Sequence, residues 1–170
     1  VEQTDGVPYT TTVKTYDHEP IEGCERVVEG MPNRPEITHQ EQRAYYAPTE
    51  DRVNMPRRET FTAPEDYYST LFHELTHSTG HQKRLHRRGS DEVRRFGDTA
   101  YSQEELVAEM GAAFLCGHAG IENQTLDASA GYLDGWIRRL KGDPRLLVMA
   151  AAQAQKAADY TLARPAPAVE

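Results

Sequence analysis

Long apolar runs are missing from this sequence. No stretch approaches the ~18 consecutive apolar residues that a membrane-spanning helix requires, so no such helix is expected. Cysteine is almost absent, with two in 170 residues. Cys24 and Cys116 are too few for a disulfide framework, and Cys116 lies in an apolar helical run, which fits a reducing cytoplasm rather than secretion. A positive charge balance is lacking as well: the net charge is −8, which argues against general attraction to nucleic acid or to anionic membranes. The opening residues, VEQTDGVPYT, have neither an initiator Met nor the charged-then-apolar pattern of a signal peptide. They read as the start of a piece of a larger parent.

What is present suits one domain with a modest core, 38% hydrophobic and 27% charged. Residues 1–20 form a polar, Thr-rich N-terminal segment in which Tyr9 to Tyr16 alternates well enough for a short strand. Ile21 to Gly30 suits a short helix stopped before Pro32. "EITH", "RAYYAP" and "DRVNMP" within 36–56 are short extended runs, and Pro48 and Pro56 belong at edges and ends of a sheet. These predict a small antiparallel sheet with an exposed edge strand.

Beyond residue 62 the pattern is helical. Thr62 with Glu65 makes a capping box ahead of a helix from Pro64 to Thr79, closed by Gly80. Ser102 with Glu105 repeats that signature before a helix reaching Cys116 and Gly117. Asp127 caps a third helix whose Leu133, Trp136, Ile137 and Leu140 make a core stripe. Gly142 stops it, and Asp143-Pro144 opens an Ala-rich fourth helix to about Tyr160. The tail over 161–170, with its Pro/Ala-rich "ARPAPAVE", is expected to be disordered. The expected fold is α+β, a small sheet plus about four helices, with one domain over 21–160.

Within the helix of 64–79, "HELTH" matches H-E-x-x-H over His73 to His77. Positions i and i+4 share a helix face, so two imidazoles can converge on one ion. Glu74 lies ~100° around the helix, close enough to reach a metal-associated water without ligating the metal. Chance placement of 7 histidines and 17 glutamates yields about 0.03 such motifs, and the context adds weight. Tyr68, Leu71, Phe72 and Leu75 make the apolar side of this helix, while Asp66, Thr70, His73 and His77 make the other.

Zinc needs a third protein ligand. His81 continues the four-residue step, but Gly80 turns the chain off the helical face first, so His81 reads as structural. The zincin arrangement H-E-x-x-H-x-x-G-x-x-H fails here because position 83 is Lys. Downstream, "SQEELVAEMGAAFLC" places Glu105 and Glu109 on one helix side, continued by the small residues Ala112 and Cys116. Glu105 is the expected ligand and Glu109 the expected carboxylate behind a ligand histidine, with Glu104 and Glu109 as alternative ligands. Against this stands a bland account, in which Glu105 completes the capping box and Glu109 is a surface charge.

H-E-x-x-H followed by Glu-x-x-x-acid is the layout of gluzincin metallopeptidases. More closely, "AYYAPTEDRVNMP", "YYSTLFHELTHSTGH", "EELVAEMGAAFLC" and the Ala-rich last helix resemble one family as a set. This is the zincin-like metallopeptidase domain of plasmid antirestriction proteins and polyvalent mobile-element proteins, with the resemblance covering about 21–160. It implies a zincin fold and a bound divalent metal, zinc or another ion such as manganese, in a bacterial cytoplasm. It also implies a single-stranded-DNA-binding domain ahead of this one, through which any DNA association would mainly run.

The expected reaction is peptide-bond hydrolysis, with zinc on His73, His77 and Glu105 and with Glu74 as general base. Tyr101, His118 and Tyr132 are candidates for an extra oxyanion donor, and an extended peptide or protein substrate would pair with an edge strand in 44–54. The alternative is a non-proteolytic antirestriction module whose metal is structural and which acts through DNA or protein binding; the presence of Glu74 favours the enzyme. One basic segment, "KRLHRRGSDEVRRFG", carries Lys83, Arg84, Arg87, Arg88, Arg94 and Arg95 and could track a nucleic-acid backbone, or simply be a solvated face.

Overall fold

In the computed structural model of the chain, the described residues are 14–87, 99–121 and 144–165. They form α1 (Glu22–Gly30), β1 (Glu36–Thr38), β2 (Tyr45–Ala47), β3 (Arg52–Asn54), a 3-10 turn (Arg58–Thr60), α2 (Pro64–Ser78), α3 (Thr99–Ala119) and α4 (Pro144–Thr161). The expected helix from Asp127, most of the Tyr9–Tyr16 stretch and residues 166–170 lie outside the described residues. No described helix is long and apolar enough to cross a membrane.

The sheet is mixed rather than antiparallel, in the order β1-β3-β2. β3 runs parallel to β1, with Ile37 opposite Val53, and antiparallel to β2, with Tyr46 opposite Val53. Val53 and Asn54 are fully buried, so β3 takes the centre, where both of its hydrogen-bonding edges are paired. The Asn54 side chain secures this order. Its amide donates to the Glu41 and Arg43 carbonyls, and its Oδ1 accepts from the Gln40 and Glu41 backbone N–H groups. One buried amide thus satisfies the loop that carries the chain from β1 to the far edge.

Neither capping box forms. α2 starts with Ala63 at the N-cap and Pro64 in its first turn, where proline's fixed φ and missing N–H cost nothing; Glu65 and Asp66 complement the helix dipole. α3 starts at Thr99, so Ser102 and Glu105 lie inside the helix. Glu105 is therefore released from any capping duty. α3 ends at Ala119, where Gly120 takes a φ of 77° and the Ile121 N–H bonds the Cys116 carbonyl at 3.1 Å, a Schellman closure. α4 closes the same way through Ala163, at φ 52°, and Arg164. Leu162, just past α4, packs against the core.

The main core joins Cys24, Val27 and Val28 of α1, Val53 and Met55, the Tyr68, Leu71, Phe72 and Leu75 side of α2, and Ala112, Leu115 and Cys116 of α3. Both cysteines are free and buried. A second cluster sits between α3 and α4, where Leu106 and Val107 meet Ala150 and Ala154. α2 and α4 thus sandwich α3, and the polar side of α2 is left facing one flank of it.

Candidate metal centre

Close approach of α2 and α3 builds the site. A Cβ placed on Gly111 would lie 2.5 Å from Thr76 Cγ2, so no larger residue fits at this crossing without displacing the buried Thr76. With the helices this near, the acidic face of α3 meets both histidines of α2. His73 Nε2 and His77 Nε2 are 3.1 Å apart. Glu105 turns one oxygen to each ring, with Oε2 at 3.7 Å from His73 Nε2 and Oε1 at 3.5 Å from His77 Nε2. One donor atom from each of these three residues falls within 4.8 Å of the other two. The two imidazoles are roughly perpendicular, at 77°.

Each ring has a second carboxylate behind it. Glu109 Oε1 lies 3.5 Å from His73 Nδ1, and Glu104 Oε1 lies 3.6 Å from His77 Nδ1. A proton on each Nδ1 faces a negative charge, which leaves each Nε2 lone pair turned toward the other ring. Two lone pairs at 3.1 Å repel unless a cation lies between them. Burial opposes charging His73, but Glu105 and the further negative charges of Glu74 and Glu109 outweigh it and raise its pKa. Burial likewise works against ionised Glu104, yet contacts with His77 and Arg87 hold its pKa below the usual carboxylate value. The centre is therefore a place where positive charge is favoured.

A sequence profile of the zincin-like metallopeptidase family matches residues 25–153. The chain belongs to that family. The zincin-like domain superposes on the crystal structure of the antirestriction protein ArdC from the R388 plasmid in its Mn(II)-bound form, with a TM-score of 0.66 and 40% identity, over 92% of this chain and 57% of that one. The metal-free ArdC structure matches at a TM-score of 0.63 and 38% identity, over 92% of this chain and 55% of that one. A DNA primase TraC of Escherichia coli is 36% identical over 163 residues, which are 95% of this chain but only 11% of TraC. The domain thus spans little more than half of one relative and about a tenth of another.

Other candidates fall into place around the zincin-like centre. Glu74 is buried on α2, one residue from His73, and its charge acts on that ring. A cavity of about 200 Å³ opens beside His73, lined by Ser69, Thr70, Glu109 and Ala112. His81 is buried off the helix with Nδ1 3.7 Å from Asp51 Oδ2, and it takes no part in the histidine pair. His118 is not beside the site: it lies thirteen residues beyond Glu105 on α3, roughly 20 Å along the axis, where its Nδ1 meets Arg164 at 3.1 Å. The Tyr101 side chain and Tyr132 lie outside what is described.

The basic segment is also smaller than its sequence suggests. The Arg84 side chain is fully buried, bonded to Asp51, Tyr46 and the Ser78 and Asn33 carbonyls, and Arg87 is 7% exposed against Glu104. Of its three described members only Lys83 reaches solvent, at 65% exposure. Arg88, Arg94 and Arg95 lie outside the described residues. The Arg87–Glu104 pair was invisible in the sequence, because nothing local links residues seventeen apart across two elements.

Proposed function

We propose that this domain is a zinc-dependent peptidase in which His73, His77 and Glu105 hold the ion, Glu74 is the general base and Glu109 supports His73. The observation carrying this reading is the trio of donors around one point. A tetrahedral ion with bonds of ~2.0–2.1 Å needs donors about 3.4 Å apart. The two Nε2 atoms are 3.1 Å apart, Glu105 brings Oε1 to 3.5 Å from His77 and Oε2 to 3.7 Å from His73, and one atom from each of the three residues lies within 4.8 Å of the others. Two neutral imidazoles and one carboxylate are also the donor types zinc takes in hydrolytic sites, and manganese accepts them too.

When bound, such an ion supplies Lewis acidity, making a water more acidic and a carbonyl more electrophilic. The chain's own residues do the rest. Glu74, ~100° around α2 from His73, takes the proton of the attacking water and delivers it to the departing amine. Glu109 and Glu104 fix the tautomers of the two rings and keep their Nε2 atoms as acceptors. β2 is an edge strand, so its outer backbone groups can align an extended peptide without demanding a particular sequence.

The names of the relatives suggest the setting. We place the domain in a plasmid or mobile-element protein with an antirestriction role, acting on a protein or peptide inside the bacterial cytoplasm, with DNA contacts made mainly by a separate N-terminal domain. Cys24 and Cys116, both free and buried, fit a compartment where thiols stay reduced.

The test is Glu74→Gln. Metal content should match wild type, measured by elemental analysis, while peptide cleavage in a proteome-derived library should fall by about 10²–10⁴-fold. Cleavage surviving in that variant would remove Glu74 as the base. Absence of cleavage by metal-loaded wild type would favour the structural-metal module instead.

A further inference from the structure

We propose that Arg87 decides which of two consecutive glutamates becomes the third metal ligand. This rests on the metal reading above and adds to it a residue that touches neither metal nor substrate. Glu104 and Glu105 are chemically identical neighbours on α3, and both reach the same imidazole. Glu104 Oε1 lies 3.6 Å from His77 Nδ1, and Glu105 Oε1 lies 3.5 Å from His77 Nε2. Nothing in the two side chains themselves separates their roles.

Arg87 separates them. Its guanidinium takes both oxygens of Glu104, with Nη2 at 2.5 Å from Oε1 and Nε at 3.3 Å from Oε2. The fork is itself held by α2: Nη2 also donates to the Thr76 carbonyl at 2.9 Å, and Nη1 donates to Thr79 Oγ1. Both side chains are largely out of water, at 7% and 14% exposure. A buried, two-point pair of this kind fixes direction as well as distance. Glu104 is therefore held on the Nδ1 side of His77, and Glu105 alone turns its oxygens on the two Nε2 atoms.

Arg87 thus has two effects. It keeps a competing carboxylate off the ion, and it fixes the acceptor that orients His77 as a ligand. It is a positioning residue. Because the anchors are Thr76 in the last turn of α2 and Thr79 just past it, the same contact ties the end of that helix to α3.

The experiment loads the full chain with Co(II) and records its visible absorption spectrum, Co(II) affinity against a competing chelator, and thermal midpoint. Variants are Arg87→Met, Arg87→Lys and Glu104→Gln. Arg87→Met should weaken Co(II) binding by about 10–100-fold and change the spectrum, as a freed Glu104 alters the ligand field. Arg87→Lys, with the charge but not the fork, should recover only part of the affinity. If Arg87→Met fails to fold, Arg87→Lys carries the test, and wild-type spectrum and affinity in that variant would overturn the proposal. Glu104→Gln, which removes the competing charge, should leave the wild-type ligand field and lose only the affinity owed to the orientation of His77. A lower thermal midpoint with wild-type spectrum and affinity would overturn the proposal, leaving Arg87 as a structural tie. Wild type that takes up no Co(II) would instead end the metal reading itself.

Discussion

At the scale of single residues, the centre concentrates carboxylates around two imidazoles, and each should respond differently to removal. Glu105→Ala or His73→Ala deletes a donor and should reduce metal uptake to background, measured by elemental analysis after dialysis. Glu109→Ala removes only the group behind His73, so metal affinity should fall by about 10–100-fold, measured by chelator competition.

Asp51 tests a structural site by pH. Burial opposes its charge, but Arg84 and Tyr46 bind the carboxylate and Arg84 and His81 add favourable charge, bringing its pKa down to about 2. Its folded pKa lies below its unfolded one. The stabilisation is therefore complete above about pH 4 and is lost as pH falls toward 2. Asp51→Asn should cost about 2 kcal/mol at pH 7, with the gap closing near pH 2 in denaturant titrations.

Residue identities in the site were legible because the chemistry is local. H-E-x-x-H carries both imidazoles and Glu74 within five positions, and the helical period puts the two imidazoles on one face. Glu105 was legible only as one of three glutamates. The contact that separates it from Glu104 comes from Arg87, seventeen positions earlier, and no period in the sequence encodes that.

At the scale of elements, the α2–α3 crossing is the most sensitive feature. Gly111→Val should force the helices apart at Thr76, weakening metal affinity and lowering stability by about 1–3 kcal/mol, as overpacking does. Chelator competition and thermal unfolding would report the two effects separately. Ala163 offers the opposite change. It takes a positive φ in the closing motif of α4, where glycine is easier, so Ala163→Gly should stabilise by up to about 1 kcal/mol, read in denaturant unfolding.

Helices were easier to foresee than their first residues. α1, α2 and α4 follow the expected helical stretches, but α2 starts at Pro64 with Ala63 as its N-cap, and Ser102 lies inside α3 rather than capping it. Strands were legible as extended runs but not in their order. Three strands of three residues contain too little pattern to say that β3 lies between the others, and Asn54 settles it through contacts eleven to fourteen positions away.

At the scale of the whole molecule, a bound ion would add a link between two helices that already share the apolar core. Such a ligand stabilises only the folded chain. At a hundredfold excess over Kd it adds about 2.7 kcal/mol, which for this size corresponds to a rise of about 5–10 °C in Tm. Zn(II) or Mn(II) should produce that shift in a thermal scan, EDTA should reverse it, and His73→Ala should abolish it.

By itself the sequence determined the donor types, the helix that carries the histidines and the apolar sides that must be buried, because each follows from short-range periodicity and side-chain chemistry. Only the tertiary structure decided which glutamate meets both Nε2 atoms, that β3 is central, and that Arg84 and Arg87 are buried partners rather than a basic surface. Those outcomes depend on which groups from distant segments share a small, poorly solvated volume, where an unpaired charge is costly and each partner restricts the next.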